Sequence, residues 1–354
     1  SESLIAVKYR VKTKDGTMLG GAMYALERGL NMKWLGKIFA VLGALTAFGI
    51  GCGVQVNAIS SIVNSSLAPA LSGASEKASG LLNTYPWIIS LAVGLIVGAV
   101  TCLVIFGGVK SIARVCERLV PFMAFFYVVG CVAILIFNRA YLAETFSIIF
   151  RSAFTEVKSI AGGLVGTGIM MSARYGIARG LFSNEAGMGS TPHAHAVAKV
   201  KYPAQQGFVA IVGVFVDTFI VLNMTAFVIF VTNSIDGSTT GIALTQKAFE
   251  SGLGSFGITF VAICLFFFAF STIIGWYFFG EQNIKYLFGT KGTTPYRLIV
   301  MGFIVLGSVL QVDLVWELAD MFNGLMVLPN LIALIGLSKI VSMALRDYDA
   351  NNPR

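Results

Sequence analysis

Eight stretches of this chain are apolar enough, some only across a glycine break, to fold as helices that cross a lipid bilayer. They run over Trp34–Val63, Trp87–Gly107, Ile112–Phe137, Ala161–Leu181, Gln206–Thr232, Phe256–Gly280, Tyr296–Leu310 and Leu325–Leu345. A spanning helix needs about 20 mostly apolar residues. The seventh stretch is short, and the fourth is interrupted by glycines and arginines. Composition agrees, with 56% apolar and only 12% charged residues. That charged share is about half of what soluble domains carry, and such a chain in water would expose patches large enough to aggregate. An all-α, polytopic membrane protein with the bilayer as its solvent is the expected class.

The net charge of +8 raises the question of nucleic acid. The basic residues cluster at the ends of the apolar stretches, with no basic and aromatic stripe to follow a phosphate backbone. They follow the positive-inside rule instead. If Lys8–Lys37, Lys110–Arg118, Arg174–Lys201, Lys285–Arg297 and Lys339–Arg354 share one side, that side holds 20 of the 25 basic residues. This predicts a cytoplasmic C-terminus and a multi-pass protein of the plasma (inner) membrane. The five cysteines are scattered through apolar stretches without CxxC spacing and read as small buried hydrophobes. The chain opens at Ser1 with no signal peptide, and Ser3–Tyr9 reads as the tail of a preceding helix. An upstream segment is therefore expected.

Two connections on the other side are long. Asn64–Pro86 is rich in Ser, Ala and Gly and reads as a loop. Residues 139–160 place Leu142, Phe146, Ile149, Phe150 and Phe154 at helical spacing, which predicts an amphipathic helix on the outer surface. Residues 1–33 are expected as a cytoplasmic loop, and the chain as one transmembrane domain.

Four features carry chemistry. The fourth stretch contains Gly162-Gly-Leu-Val-Gly166-Thr167-Gly168 and then Met171. Its glycines either let the helix unwind so that backbone groups face a ligand, as in transporters, or let a neighbouring helix approach closely. Spacing alone leans towards packing. The same stretch closes on a polar run holding Arg174, Arg179 and Glu185. These charges read either as a cytoplasmic gate of ion pairs or as snorkelling side chains at a solvated helix end.

In the sixth stretch, Ser271 and Thr272 interrupt a phenylalanine-rich run that includes Phe268, and Trp276 lies one turn beyond Thr272. Hydroxyls and freed carbonyls are hard ligands suited to a sodium ion. The alternative is hydrogen bonding of the hydroxyls to carbonyls one turn back. Gln55 and Asn57 are likewise either helix–helix glue or site lining. Asp217 lies far from either end of its stretch, where a carboxylate is costly unless paired. A structural pair with an arginine is favoured there over a proton-carrying role. The only histidines are His193 and His195, with no HExxH, GxSxG or carboxylate pair beside them, so an enzyme is not expected.

The run Ala178-Arg-Gly-Leu-Phe-Ser-Asn-Glu-Ala-Gly-Met-Gly-Ser190, followed by Thr-Pro-His-Ala-His-Ala196, resembles the signature of the alanine or glycine:cation symporter family. Ala6-Val-Lys-Tyr-Arg10, Gly20-Gly-Ala-Met-Tyr24, the Gly51, Gln55 and Asn57 stretch, and Asp320-Met-Phe-Asn-Gly-Leu-Met326 resemble it too. Ala22 stands where proline is commoner in the family. The resemblance covers almost the whole chain. It implies the LeuT-type inverted-repeat transporter fold, with core helices three to ten present here and the first helices lacking.

The resemblance further implies a sodium site with shares from Ser271, Thr272 and the Phe268 carbonyl, and Trp276 as a wall of the substrate pocket. Gln55, Gly166, Thr167, Gly168, Met171 and Thr272 would line that pocket. Arg174, Arg179, Glu185 and Asp217 are the gating candidates. The expectation is sodium-coupled symport of a small neutral amino acid, alanine or glycine, by a monomer with no cofactor besides the coupling ion. A proton-coupled transporter of the same fold is the alternative, and a passive channel is disfavoured for lack of a filter motif.

Overall fold

A computed structural model of the chain describes residues 1–13, 16–74, 85, 87–154, 164–310 and 312–352. The described residues are almost wholly helical. The one ladder is a two-residue hairpin pairing Val11 with Leu19 and Lys12 with Met18. Among the described residues, six helical stretches are long and apolar enough to cross a membrane. The fifth of them, Ser255–Val309, contains two helices joined by the short turn Gly289–Gly292.

In chain order the helices used below are α1 (Glu2–Lys8), α2 (Lys33–Thr46), α3 (Gln55–Ala74), α4 (Ile88–Phe106), α5 (Gly108–Phe137), α6 (Leu142–Phe154) and α7 (Leu164–Asn184). Then come α8 (Pro192–Ala196), α9 (Pro203–Phe215), α10 (Asn223–Val231), α11 (Gly241–Leu253), α12 (Ser255–Phe288), α13 (Thr293–Val309), α14 (Val312–Gly336) and α15 (Ser338–Asn351). Two of the membrane stretches carry a π-helical turn, Ala47–Val54 between α2 and α3 and Val216–Leu222 between α9 and α10.

Several boundaries differ from those expected. The first spanning helix stays helical to Ala74, past the Val63 read from hydropathy. Residues 75–84 of the expected loop lie outside the described residues. Gly166, Thr167 and Gly168 fall inside the continuous helix α7 rather than at a break, and Gly162 and Gly163 lie outside the described residues. A helix satisfies its own backbone groups, so in a bilayer it persists through glycines that water would loosen.

The eighth stretch is displaced. The helix covers Val312–Gly336, the chain breaks at Leu337 (φ −104, ψ 9), and Ser338–Asn351 forms a separate helix. Glu317 and Asp320 dilute the apolar signal of its first half and pushed the expected start towards Leu325. The amphipathic helix expected over residues 139–160 is α6, preceded by the turn Arg139–Tyr141, and residues 155–160 lie outside the described residues. Residues 1–33 are more than a loop. They contain α1, the hairpin, a helical turn Ala22–Tyr24 and a π-turn Ala25–Gly29, with Leu4, Ile5, Met23 and Leu26 buried.

The chain gathers into two compact units, one of Ser1–Val120, Gly187–Val212 and Leu265–Arg354, the other of Pro121–Ala186 and Gly213–Cys264. In the first, Phe39, Ala40, Cys52, Val56, Ile273, Val300 and Ile304 form a core, and α3, α4 and α13 pack on one another. Asn57 secures that packing: its amide donates to the carbonyls of Gly307 (3.0 Å) and Leu310 (2.8 Å). These are carbonyls at the end of α13 that the helix itself leaves unmet. Asn57 is therefore helix–helix glue. In the second unit, Cys131, Ile134, Val228, Ala248 and Phe249 are buried, and Phe249 stacks between Tyr127 and Phe260.

Candidate functional site

The first unit holds the hydroxyl pair. Both side chains sit on α12, where Ser271 is buried and Thr272 partly exposed. Ser271 Oγ and Thr272 Oγ1 each donate to the Phe268 carbonyl at 2.9 Å. This is the back-bonding arrangement available to Ser and Thr in apolar helices, and it gathers three oxygen atoms into one turn. Each hydroxyl that donates one proton keeps its lone pairs, so the cluster offers hard oxygen donors of the kind alkali and alkaline-earth cations prefer.

One turn further, Trp276 is 3% exposed and packs with Phe279 at 5.5 Å between ring centroids. Opposite lies Gly51 in the π-turn Ala47–Val54, and a Cβ there would run into the Cβ and indole of Trp276. Only glycine lets the tryptophan lie on this backbone. Gln55 opens α3 immediately after the π-turn and is partly exposed. The sequence marked Gln55, Trp276 and the hydroxyls. It did not mark the π-turn, although such single-turn bulges recur at functional sites.

Beyond Trp276, α12 continues for a total of 34 residues, about 51 Å at the helical rise, well beyond a hydrocarbon core of about 30 Å. Its far end carries a charged cluster that sequence reasoning missed. Glu281 is 3% exposed and pairs with Lys285 (3.2 Å) and Arg297 (3.3 Å). It also accepts from the Tyr277 hydroxyl (3.1 Å), which in turn accepts from Arg297 Nε (3.0 Å). A buried carboxylate is tolerated when it is paired and hydrogen-bonded in this way.

His193 is buried at 1% exposure between the rings of Phe39 and Phe279. Burial lowers its pKa to about 4, so the imidazole is neutral. Nδ1–H then donates to the Ser190 carbonyl at 2.7 Å, and the 3.3 Å approach of Nε2 to the Asn283 oxygen is contact only. Burial also lowers the pKa of His195, whose Nδ1 lies 2.6 Å from the Gln206 amide.

In the second unit, Gly166, Thr167 and Gly168 belong to α7, and Met171 is 52% exposed. Arg174 and Arg179 are exposed, the latter 5.9 Å above the Phe182 ring. Glu185 follows α7 in the left-handed region at φ 50. Asp217 lies in the π-turn Val216–Leu222, and its carboxylate accepts from the Ser183 hydroxyl at 2.7 Å. Beside it, Asn184 and Thr218 bond at 2.9 Å. The hydroxyl is a partner the sequence reading did not foresee.

A family model described as the sodium:alanine symporter family matches residues 1–354. The chain is 40% identical to the sodium/alanine symporter AgcS of Methanococcus maripaludis, over 96% of this chain and 72% of that protein. It is 40% identical to the probable sodium/glutamine symporter GlnT of Bacillus subtilis, over 98% of this chain and 68% of that protein. A putative sodium/proton-dependent alanine carrier protein of Bacillus subtilis, YrbD, is 36% identical over 98% of this chain and 70% of its own length. A helical chain with several apolar membrane stretches, matched along its whole length by this model, belongs to the sodium:alanine symporter family of membrane transporters.

Proposed function

We propose that this protein couples the inward flow of sodium to uptake of a small neutral amino acid, alanine or glycine, across the plasma membrane. Transport proceeds by alternating access in a LeuT-type fold, and the C-terminus is cytoplasmic. The observation that carries this reading is the turn of α12 in which two hydroxyls and the Phe268 carbonyl converge. Oxygens gathered this closely in an apolar helix suit a hard cation, and a sodium ion is one of suitable hardness.

Trp276 favours a small side chain, because its seat on Gly51 fixes the indole and leaves it little freedom to withdraw. The name of one relative points to glutamine instead, so the pocket wall is where the relatives would part. Gln55 in the first unit, and Gly166, Thr167, Gly168 and Met171 on α7 in the second, are the further substrate-lining candidates. Arg174, Arg179, Glu185 and Asp217 are the gating candidates. Sodium binding and amino-acid binding favour the same occluded state, which is what couples them.

A second reading, coupling to protons as well, is favoured by the name of another relative, a sodium/proton-dependent carrier. Uptake of labelled alanine, glycine and glutamine into proteoliposomes tests both. The expected result is accumulation that needs sodium, stops when choline replaces it, and survives collapse of the proton gradient. Accumulation that ignores sodium and follows the proton gradient would overturn the sodium reading.

A further inference from the structure

The signature run owes its shape to a residue far away in sequence. After α7 the chain switches direction through three left-handed residues, Glu185 (φ 50), Gly187 (φ 79) and Gly189 (φ 81). Two of the three are glycine, the residue for which this region is free of strain. The Gly187 and Gly189 N–H groups converge into a small anion-binding nest of the kind alternating backbone conformations produce. The anion they hold is the Glu2 carboxylate of α1. Gly187 N donates to Oε2 at 3.1 Å and Gly189 N to Oε1 at 3.2 Å.

Asn330 on α14 closes the arrangement. Its amide nitrogen donates to Glu2 Oε1 at 2.5 Å and to the Gly187 carbonyl at 2.9 Å. A Cβ on Gly189 would come within 2.7 Å of the Phe39 ring and 2.9 Å of Asn330 Cγ, so the turn is seated as well as bonded. A small cavity beside the carboxylate is lined by Ala22, Ala25 and Ala333 among others. Hydrogen bonds rather than bulk therefore hold Glu2 in place. Each side needs the other: the turn supplies donors for a buried carboxylate, and the carboxylate satisfies two amides that no helix reaches.

We propose that Glu2, braced by Asn330, is the positioning residue for the Gly187–Gly189 turn, and that this clamp holds the signature in one conformation through the transport cycle. The proposal rests on the transport reading above but assigns Glu2 no contact with sodium or amino acid. Neutralising it therefore slows turnover and leaves affinity alone.

The test is Glu2→Gln in the whole protein, read by amide hydrogen exchange of the turn and by transport kinetics. Glutamine keeps one acceptor and turns a donor towards the nest, so exchange at Gly187 and Gly189 should rise about tenfold or more. Maximal uptake should fall by a similar factor, while half-saturating sodium and amino acid stay within about twofold. If Glu2→Gln does not insert, Asn330→Ala gives the same two readouts, since it removes the brace and leaves the carboxylate.

Unchanged exchange in both variants would overturn the clamp. Faster exchange with unaltered turnover would overturn its role in transport, as would a change confined to affinity. The exchange measurement needs no substrate, so failure of the clamp and failure of the transport reading are told apart.

Discussion

The two compact units differ most clearly in what their π-turns do with polar groups. In the first unit the turn Ala47–Val54 is built on glycines and sealed by Trp276, which is 3% exposed. In the second, the turn Val216–Leu222 displays Asp217 and Thr218 to the end of α7, and their bonds to Ser183 and Asn184 are partly open. The first unit buries His193, Glu281 and Asn330, each with its partners. An extra backbone residue in a spanning helix thus serves close packing in one unit and polar display in the other. The cost of a substitution should follow that division.

The largest effect is expected at His193. The unfolded imidazole titrates near 6.5, whereas burial holds the folded one at about 4. Between these values the unfolded state takes up a proton that the folded state refuses. Stability should therefore fall as pH drops from 6.5 towards 4, by up to about 3 kcal/mol, and level off below. His195 shifts in the same direction, so the comparison is thermal unfolding of the wild type against His193→Gln at pH 7 and pH 5. A flatter pH dependence in the variant is expected, and an identical one would place His193 in contact with water.

Next comes Gly51→Ala, which drives a Cβ into Trp276. Overpacking of this kind costs about 1–3 kcal/mol, seen as a lowered unfolding temperature in detergent. An unaltered temperature would mean that the first π-turn is as yielding as the second. The smallest effect is expected there, for Asp217→Asn. An amide oxygen still accepts from Ser183, so the hydrogen bond survives and the change should stay within about 1 kcal/mol. A loss as large as that at Gly51 would erase the contrast between the units.

The spanning helices were largely legible in the residues, whereas the division into two units was not. Apolar length announced most of the spanning helices, because bilayer thickness sets that length directly, but the expected fourth, over 161–181, is not among the six stretches apolar enough in the described residues. Asn57 and the hydroxyls at Ser271 and Thr272 stood out because a polar group in an apolar run always has a reason. The π-turns were invisible, since the glycines of Ala47–Val54 are equally consistent with an ordinary helix and Val216–Leu222 contains no glycine at all. The end of the eighth stretch at Gly336 depends on packing against Leu30, a contact between distant parts of the chain.

Glu2 shows the limit most sharply. No motif marks it in the sequence, and its partners lie 185, 187 and 328 positions away. His193 likewise meets rings, those of Phe39 and Phe279, that its neighbours in sequence do not announce. Local spacing carries no information about such meetings.

Coupled transport requires that the oxygens gathered at Phe268, Ser271 and Thr272 receive sodium. Replacing Thr272 with valine keeps the shape of the side chain and removes one hydroxyl, so the sodium dependence of alanine uptake in proteoliposomes reads that oxygen directly. Half-saturating sodium should rise about tenfold, the equivalent of about 1.4 kcal/mol, with the helix intact by circular dichroism. A sodium activation curve that superimposes on the wild type would contradict the assignment.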